Sequence, residues 1–303
     1  MMRRLLSSLL AGAVVLAGCT SAQDPEDPQL VVATTTIVGD LVEQVGHGTV
    51  QLQVLMPIGA DPRDFRPSAR QAADLRDADL IVTSGLGLES GLADALAAAR
   101  AAGIPILDLG ANLGQLSMGG DDDARLDPHW WLDPNRAAAA IDLIAERLSA
   151  NSHDPALCLR LAPRAEAAKS NLLILGQQMT NALRRVPPEH RRLFASRDGL
   201  RYFAERFDFE IGGVIVQDTN AGPRPDAVRL QDLADDMQTD GVNAVFIDST
   251  EPAELAEVLV AEMGMETKVV ALDLCSLGGP GSGTETYVDM MWATADRIAE
   301  ALT

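Results

Sequence analysis

The amino-acid sequence predicts an α/β fold with two lobes, each built on a parallel sheet, joined by a single long helix, with a ligand cleft between the lobes. Three observations support this prediction. Short apolar runs alternate with helical patterns over residues 30–107, a nearly continuous helical pattern covers residues 136–185, and the alternation resumes at residue 192. Strands and helices that alternate at this length favour a parallel sheet with helices on both faces.

The first half of the chain contains the elements of one complete sheet. Its apolar runs are bounded by turn residues, as strands are, and the segments between them carry apolar residues at helical spacing. We expect strands at residues 30–33, 50–55, 80–82 and 104–107, and helices near residues 37–45, 68–76 and 88–102.

The helical pattern in the middle of the chain separates this lobe from a second one. It covers residues 136–150 and then 155–185, with an irregularity expected at Pro163, and it stops at Pro187 and Pro188. A segment of this length joins lobes better than it packs inside one. The second lobe then has strands at 192–195, 210–216, 244–247 and 269–272, and a last helix at 286–302.

The N-terminus has the pattern of an export signal. Arg3 and Arg4 precede an apolar run over residues 5–17, and the small residues Ala17 and Gly18 stand directly before Cys19. The segment resembles a bacterial lipobox, in which the signal is cut before the cysteine and a lipid is attached to its thiol. An ordinary secretory signal with an accidental cysteine is the alternative. The predicted divisions are a signal peptide at 1–18, a tether at 19–29, lobes at 30–150 and 189–303, and the linking helix at 151–188.

Composition and motifs exclude two classes of function. The chain has 24 Lys and Arg against 44 Asp and Glu, a net charge of −20, so a nucleic-acid backbone is an improbable ligand. The sequence contains no Gly-x-Ser-x-Gly, P-loop or paired-histidine motif, and we therefore expect no enzyme.

Two cysteines remain once Cys19 is assigned to lipid. Cys158 lies in a helical pattern and Cys275 lies in a loop after a strand. In an exported protein the two thiols can form a disulfide, and they can equally remain as small buried thiols. The spacing leaves both alternatives open.

Four loops that follow predicted strands, or precede the middle helices, should meet at the cleft because ligands bind outside the carboxyl ends of parallel strands. The loops cover residues 59–67, 127–134, 195–203 and 272–278, and two further motifs cover residues 84–89 and 286–291. Together these segments make the chain similar to the zinc- and manganese-type solute-binding lipoproteins of bacterial ABC importers. The resemblance implies a divalent metal ion as transported ligand, a permease and its ATPase as partners, and an extracytoplasmic location on the cell membrane, anchored through lipid on Cys19.

In that family each loop supplies one metal ligand, usually His, His, His or Glu, and Asp. The resemblance places Arg63, His129, Arg197 and Cys275 at these positions, so only His129 matches. An arginine stays protonated and offers no lone pair to a metal. Cys275 can ligate as a thiolate, but one imidazole and one thiolate are fewer ligands than a zinc site usually has. A shifted metal-ligand set, in which neighbouring carboxylates join His129, uses Asp64, Asp198 and either Cys275 or Asp273.

Two other interpretations of the cleft stay open. Arg63 and Arg197 suit an anionic ligand or a metal chelate. Alternatively, salt bridges from the arginines to Asp198, Asp248 or Asp273 hold the cleft closed, and the protein is a non-transporting module.

The remaining candidate residues are expected to have structural roles. One of Trp130 and Trp131 should face the core, and His47, His153 and His190 should face solvent. The acidic stretch at 119–123 should be a solvated loop. Asp248 and Glu251 pair with Arg197, or else Asp248, Ser249 or Thr250 caps a helix.

Overall fold

The computed structural model describes residues 28–118, 125–152, 154, 156–216, 227–251 and 267–303. These residues form two α/β lobes joined by one long helix, and the predicted fold class is confirmed. Cys19, the tether up to residue 27, the acidic stretch at 119–123 and His153 lie outside the described residues. In the described ranges, every helix lacks the length or the apolar content that crossing a bilayer requires.

The first lobe has a parallel sheet with the strand order β2-β1-β3-β4. β3 is buried along its whole length, as expected of a central strand covered on both faces. The strands are β1 (Gln29–Ala33), β2 (Val50–Val54), β3 (Leu80–Thr83) and β4 (Ile106–Asp108), and the helices are α1 (Thr36–Gly46), α2 (Ala69–Asp77) and α3 (Ala93–Ala101).

The helix predicted over residues 88–102 begins later than expected. Gly85, Leu86 and Gly87 have positive φ angles, so the chain turns sharply here instead of entering a helix. The carboxylate of Glu89 folds back and accepts hydrogen bonds from the backbone N–H groups of Ser84 and Gly85. A short 3₁₀ turn follows, and α3 begins at Ala93.

The second lobe repeats the arrangement with the strand order β6-β5-β7-β8, all parallel. β5 extends two residues beyond its predicted end, which brings Arg197 to the carboxyl edge of the sheet. The strands are β5 (Arg192–Arg197), β6 (Glu210–Val216), β7 (Ala244–Asp248) and β8 (Lys268–Leu272), and the helices are α6 (Arg201–Phe207) and α7 (Ala227–Asp240).

One long helix joins the lobes, and two further helices pack against it. α4 (Pro134–Ala150) begins with proline at its first position, where no intrahelical donor is lost, and Asp133 caps it by accepting from the Asn135 backbone N–H. α5 (Leu157–Leu183) remains helical through Pro163 and crosses from one lobe to the other. α8 (Tyr287–Leu302) packs on α5 and also contacts α1 of the first lobe. The linking helix is therefore braced along its length.

Both tryptophans before α4 lie inside the apolar core, where one was expected. Trp130 donates from its indole N–H to the carbonyl of Ser84 at 2.9 Å, in the first lobe. Trp131 donates to the carbonyl of Leu274 at 2.8 Å, in the second lobe. The segment that carries His129 is thus fixed to both lobes.

Candidate functional site

The structure brings together the four residues that the sequence placed at the cleft. Arg63 lies in the loop after β2, and His129 directly precedes the 3₁₀ turn that leads into α4. Arg197 is the last residue of β5, and Cys275 follows β8. The side chains converge where the carboxyl ends of the two sheets face each other, as the fold requires.

His129 is held rigidly. Its side chain is 1% exposed, and its ring Nδ1 lies 2.5 Å from Oδ1 of Asp127, which also accepts the backbone N–H of His129 at 2.9 Å. A carboxylate accepts here, so Nδ1 carries the proton and Nε2 presents its lone pair to the cleft. Histidines that bind metals are oriented in this way.

The lone pair of His129 faces Arg63. The Nη2 atom of Arg63 lies 2.7 Å from Nε2 of His129, and Nη1 lies 3.5 Å from Sγ of Cys275. Nη1 is also 3.5 Å from Oδ1 of Asp61. The guanidinium therefore touches two of the four positions that the family resemblance assigns to metal ligands.

Asp61 links the two arginines, although sequence reasoning missed it. Its Oδ2 lies 3.5 Å from Nη1 of Arg197, while its Oδ1 faces Arg63 and accepts the Arg63 backbone N–H at 2.9 Å. An aspartate that accepts the N–H two residues later forms a common turn, and Asp61-Pro62-Arg63 carries that signal. The carboxylate side chain of Asp61 is 11% exposed.

Arg197 is faced by a second carboxylate from its own lobe. Its Nε lies 3.3 Å from Oε1 of Glu251. Burial raises the pKa of Glu251, and the nearby Arg197 opposes that shift. Asp248 instead accepts a hydrogen bond from the backbone N–H of Thr250 at 2.9 Å. Asp248 therefore stabilises the turn after β7, whereas Glu251 faces Arg197.

The alternative carboxylate ligands are engaged elsewhere or exposed. Asp64 is exposed, Asp198 is bound by Arg201 at 2.8 Å, and Asp273 accepts hydrogen bonds from Ser249 and Thr284. Burial raises the pKa of Asp198, which Arg201 partly offsets. Within the part of the chain that the structure describes, no three His, Cys, Asp or Glu side chains are grouped so as to hold a metal ion.

Cys275 is buried. Burial raises the pKa of its thiol well above the ordinary value, the Asp248 carboxylate raises it further, and Arg63 opposes both. Cys158 is exposed in the first turn of α5 and forms no disulfide with Cys275. A metal binds the thiolate, so ligation by Cys275 would require the thiol to release its proton.

Little space remains inside the cleft. The cavity lined by Arg63, His129, Arg197, Asp248 and Glu251, among others, has a volume of about 10 Å³. A space of this size holds at most one water molecule. The two guanidinium groups and their carboxylates fill the position of a ligand.

Hydrogen bonds across the mouth of the cleft hold the lobes together. The backbone N–H of Gly59 donates to Oγ of Ser276 at 2.8 Å, and the N–H of Leu277 donates to Oγ1 of Thr36 at 2.8 Å. Both bonds join the first lobe to the loop after β8. The structure is therefore that of a closed cleft.

Comparisons with known proteins agree with this architecture. Residues 31–301 match the family model described as the periplasmic component A of a zinc-uptake complex (ZnuA). The chain is 25% identical to the manganese-binding lipoprotein MntA of Halalkalibacterium halodurans over 96% of this chain and 95% of that protein. It is 26% identical to the zinc-binding protein TroA of Treponema pallidum, covering 100% and 99% of the two chains. The solved structure of that TroA superposes with a TM-score of 0.82 over 91% of this chain and 99% of the other.

Proposed function

Since this chain belongs to the ZnuA family of periplasmic zinc-uptake components, we propose that it is a lipid-anchored, extracytoplasmic solute-binding protein that serves the permease and ATPase of one metal-class ABC importer. The observation that carries the proposal is the family match over residues 31–301, which includes all four cleft loops. The family is one of substrate-binding transport proteins. The two lobes and the long helix between them are the arrangement that this role requires.

The membrane anchor is assigned to Cys19. Arg3 and Arg4, the apolar run after them and the small residues before Cys19 favour cleavage before the cysteine and attachment of lipid to its thiol. Relatives named as lipoproteins, among them MntA of Bacillus subtilis at 27% identity, support the same location. The polar residues that follow Cys19 then serve as a tether.

The anchor is tested by Cys19→Ala with Cys158→Ala as the matched control, since Cys158 is an exposed thiol of the mature chain. We expect Cys19→Ala to lose labelling by a clickable fatty acid and to leave the membrane fraction or remain uncleaved, while Cys158→Ala behaves like wild type. A processed Cys19→Ala protein that stays in the membrane would refute the anchor.

The transport role is tested in cells that lack this chain. We expect the deletion to change the accumulation of ⁶⁵Zn or ⁵⁴Mn by the importer, and the wild-type chain to reverse that change only when the permease is present, whether the chain delivers a ligand or only regulates the importer. Restoration without the permease would contradict the assignment to an importer.

Zinc and manganese are the metals named for the relatives, and the cleft of this chain does not fit them as a bare-ion site. Two guanidiniums occupy positions where ligands are expected, and that of Arg63 contacts both His129 and Cys275. An anionic ligand is not favoured either, because Asp61 and Glu251 already face the arginines.

A second candidate function follows from the cavity of about 10 Å³. In this second function, the chain belongs to the same family but presents a permanently closed cleft to the importer and carries no cargo. Stimulation of the reconstituted importer's ATPase by the chain in EDTA is expected for this function, whereas a strict requirement for added metal contradicts it.

A further inference from the structure

The strongest unexplained feature of the molecule is the contact between Arg63 and His129. A buried imidazole whose Nδ1–H is fixed by a carboxylate, and whose Nε2 points into a cleft, is built to donate a lone pair to a cation. The group at 2.7 Å from that Nε2 is the Arg63 guanidinium. We infer that Arg63 is a built-in cation, which takes the place of the metal ion on His129 and keeps the cleft closed without cargo.

The surroundings of Arg63 support this assignment. The same guanidinium lies 3.5 Å from Sγ of Cys275, in the second lobe, and 3.5 Å from Asp61, in the first. A metal ion bound between the lobes draws ligands from both in the same way. The planar group with its several donors replaces such a cation without requiring any ligand to deprotonate.

The positive charge of Arg63 also explains why the cleft excludes bare metal dications. A dication that approached His129 would meet a fixed positive charge at hydrogen-bond distance, in a space that holds one water molecule at most. Arg63 cannot lose its proton to make room. Bare zinc or manganese is therefore excluded by Arg63 itself rather than by a lack of ligand geometry at His129.

Closure of the cleft without cargo can be followed by hydrogen exchange at backbone amides. The loop that carries Arg63 also carries Gly59, whose N–H is bonded to Ser276 of the other lobe. If Arg63 holds the lobes together, the amides of Gly59 and Leu277 are protected from hydrogen exchange in metal-free protein.

The inference rests on the proposed importer role of this chain, but its test uses only the purified chain without its lipid and needs no permease. Zinc is titrated calorimetrically into metal-free wild type and into Arg63→His, Arg63→Lys and Arg63→Ala. Arg70→Ala is the matched control, because Arg70 is an exposed arginine on the adjacent helix α2.

We expect wild type, Arg63→Lys and Arg70→Ala to bind zinc weakly, and Arg63→His to bind it roughly 100-fold more tightly or better, because one fixed charge is replaced by one imidazole ligand. In EDTA, hydrogen exchange at Gly59 and Leu277 should accelerate in Arg63→Ala and remain slow in wild type and Arg70→Ala. Zinc should restore the protection in Arg63→His.

Two results would overturn the inference. One is submicromolar zinc binding by wild type that is lost in His129→Ala, a measurement that holds even if an Arg63 variant fails to fold. The other is unchanged protection of Gly59 and Leu277 in Arg63→Ala. Neither result bears on whether the permease uses the chain, so failure here is distinct from failure of the transport role.

Discussion

His129 and Arg63 lie 2.7 Å apart in the cleft and present opposite chemistry. His129 is held by Asp127 and by the core around Trp130 and Trp131, and it offers a lone pair toward the cleft. Arg63 comes from a surface loop and offers a permanent positive charge. The buried side keeps the architecture of a cation site, while the loop side supplies the cation from the protein itself.

This difference indicates which segments of such a fold can change and so alter the ligand specificity of the cleft. The His129 segment donates hydrogen bonds to both lobes, so its alteration would disturb the core. The loop after β2 tolerates substitution more easily because it contributes few core residues. A change at a loop position can thus place a positive charge of the protein itself where a transported cation would bind.

The largest effect is expected when both arginines are replaced. In the double variant Arg63→His with Arg197→His, or with Arg197→Glu, two ligands join His129, and Cys275 becomes available as a fourth. We expect a gain in zinc affinity of orders of magnitude and a rise in melting temperature with zinc, since ligand bound only to the native state adds RT ln(1 + [L]/Kd) to stability. Calorimetry and thermal unfolding with zinc or EDTA measure both.

The shifted carboxylate set predicts the reverse. In that alternative, wild type already binds metal tightly, and Asp64→Ala or Asp198→Ala abolishes binding. Titration of these two variants beside the double variant separates the alternatives.

The second prediction concerns Asp61, the carboxylate between the two arginines. Asp61→Ala leaves two guanidiniums facing each other in a buried site, and we expect a loss of roughly 2–4 kcal/mol in the free energy of unfolding. Asp64→Ala, three residues away and exposed, should change it by no more than about 0.5 kcal/mol. Equal effects in urea unfolding would show that Asp61 does not hold the arginines.

The sequence predicts the sheets and helices well because their apolar periodicity is local, and β6 agrees with its predicted range at both ends. The sequence also indicates that Arg63, Arg197 and Cys275 lie at the cleft. The partners of Arg197 were predicted only in part: Glu251 faces it, as one of the alternatives had it, but the other carboxylate is Asp61 and not Asp198, Asp248 or Asp273. Which neighbour in a loop turns inward depends on side-chain direction, and Asp61 does so through a turn that spacing alone does not reveal.

A smaller effect is expected from Glu89, which supports the His129 side of the cleft. Its carboxylate accepts from Ser84, whose carbonyl in turn accepts from Trp130. Burial raises the pKa of Glu89 above its usual 4.5, so the folded state holds this proton more tightly than the unfolded state. Its contribution to stability is therefore present in full at low pH and is lost as the pH rises through the folded pKa.

Glu89→Gln removes this titration. We expect the variant to show a weaker fall in unfolding free energy between pH 4.5 and neutral pH than wild type does. Glu300→Gln, at an exposed position of α8, is the control that should leave the slope unchanged. If Glu89→Gln leaves the slope of the unfolding free energy against pH unchanged, Glu89 does not cause this pH dependence.

The smallest effect is expected in overall shape. α5 resists bending because a hinge would break consecutive hydrogen bonds of the helix, and α8 packs along it. Small-angle scattering of wild type and of the double arginine variant, each with and without zinc, should give nearly equal radii of gyration. A large compaction on adding zinc would contradict the braced helix.

The most direct test of the built-in cation is a zinc titration of metal-free wild type beside Arg63→His, under one set of conditions. The account predicts weak binding by wild type and tight, stoichiometric binding by Arg63→His that disappears when His129 is also changed to Ala. Tight binding of zinc by wild type through His129, with no gain from Arg63→His, would contradict it.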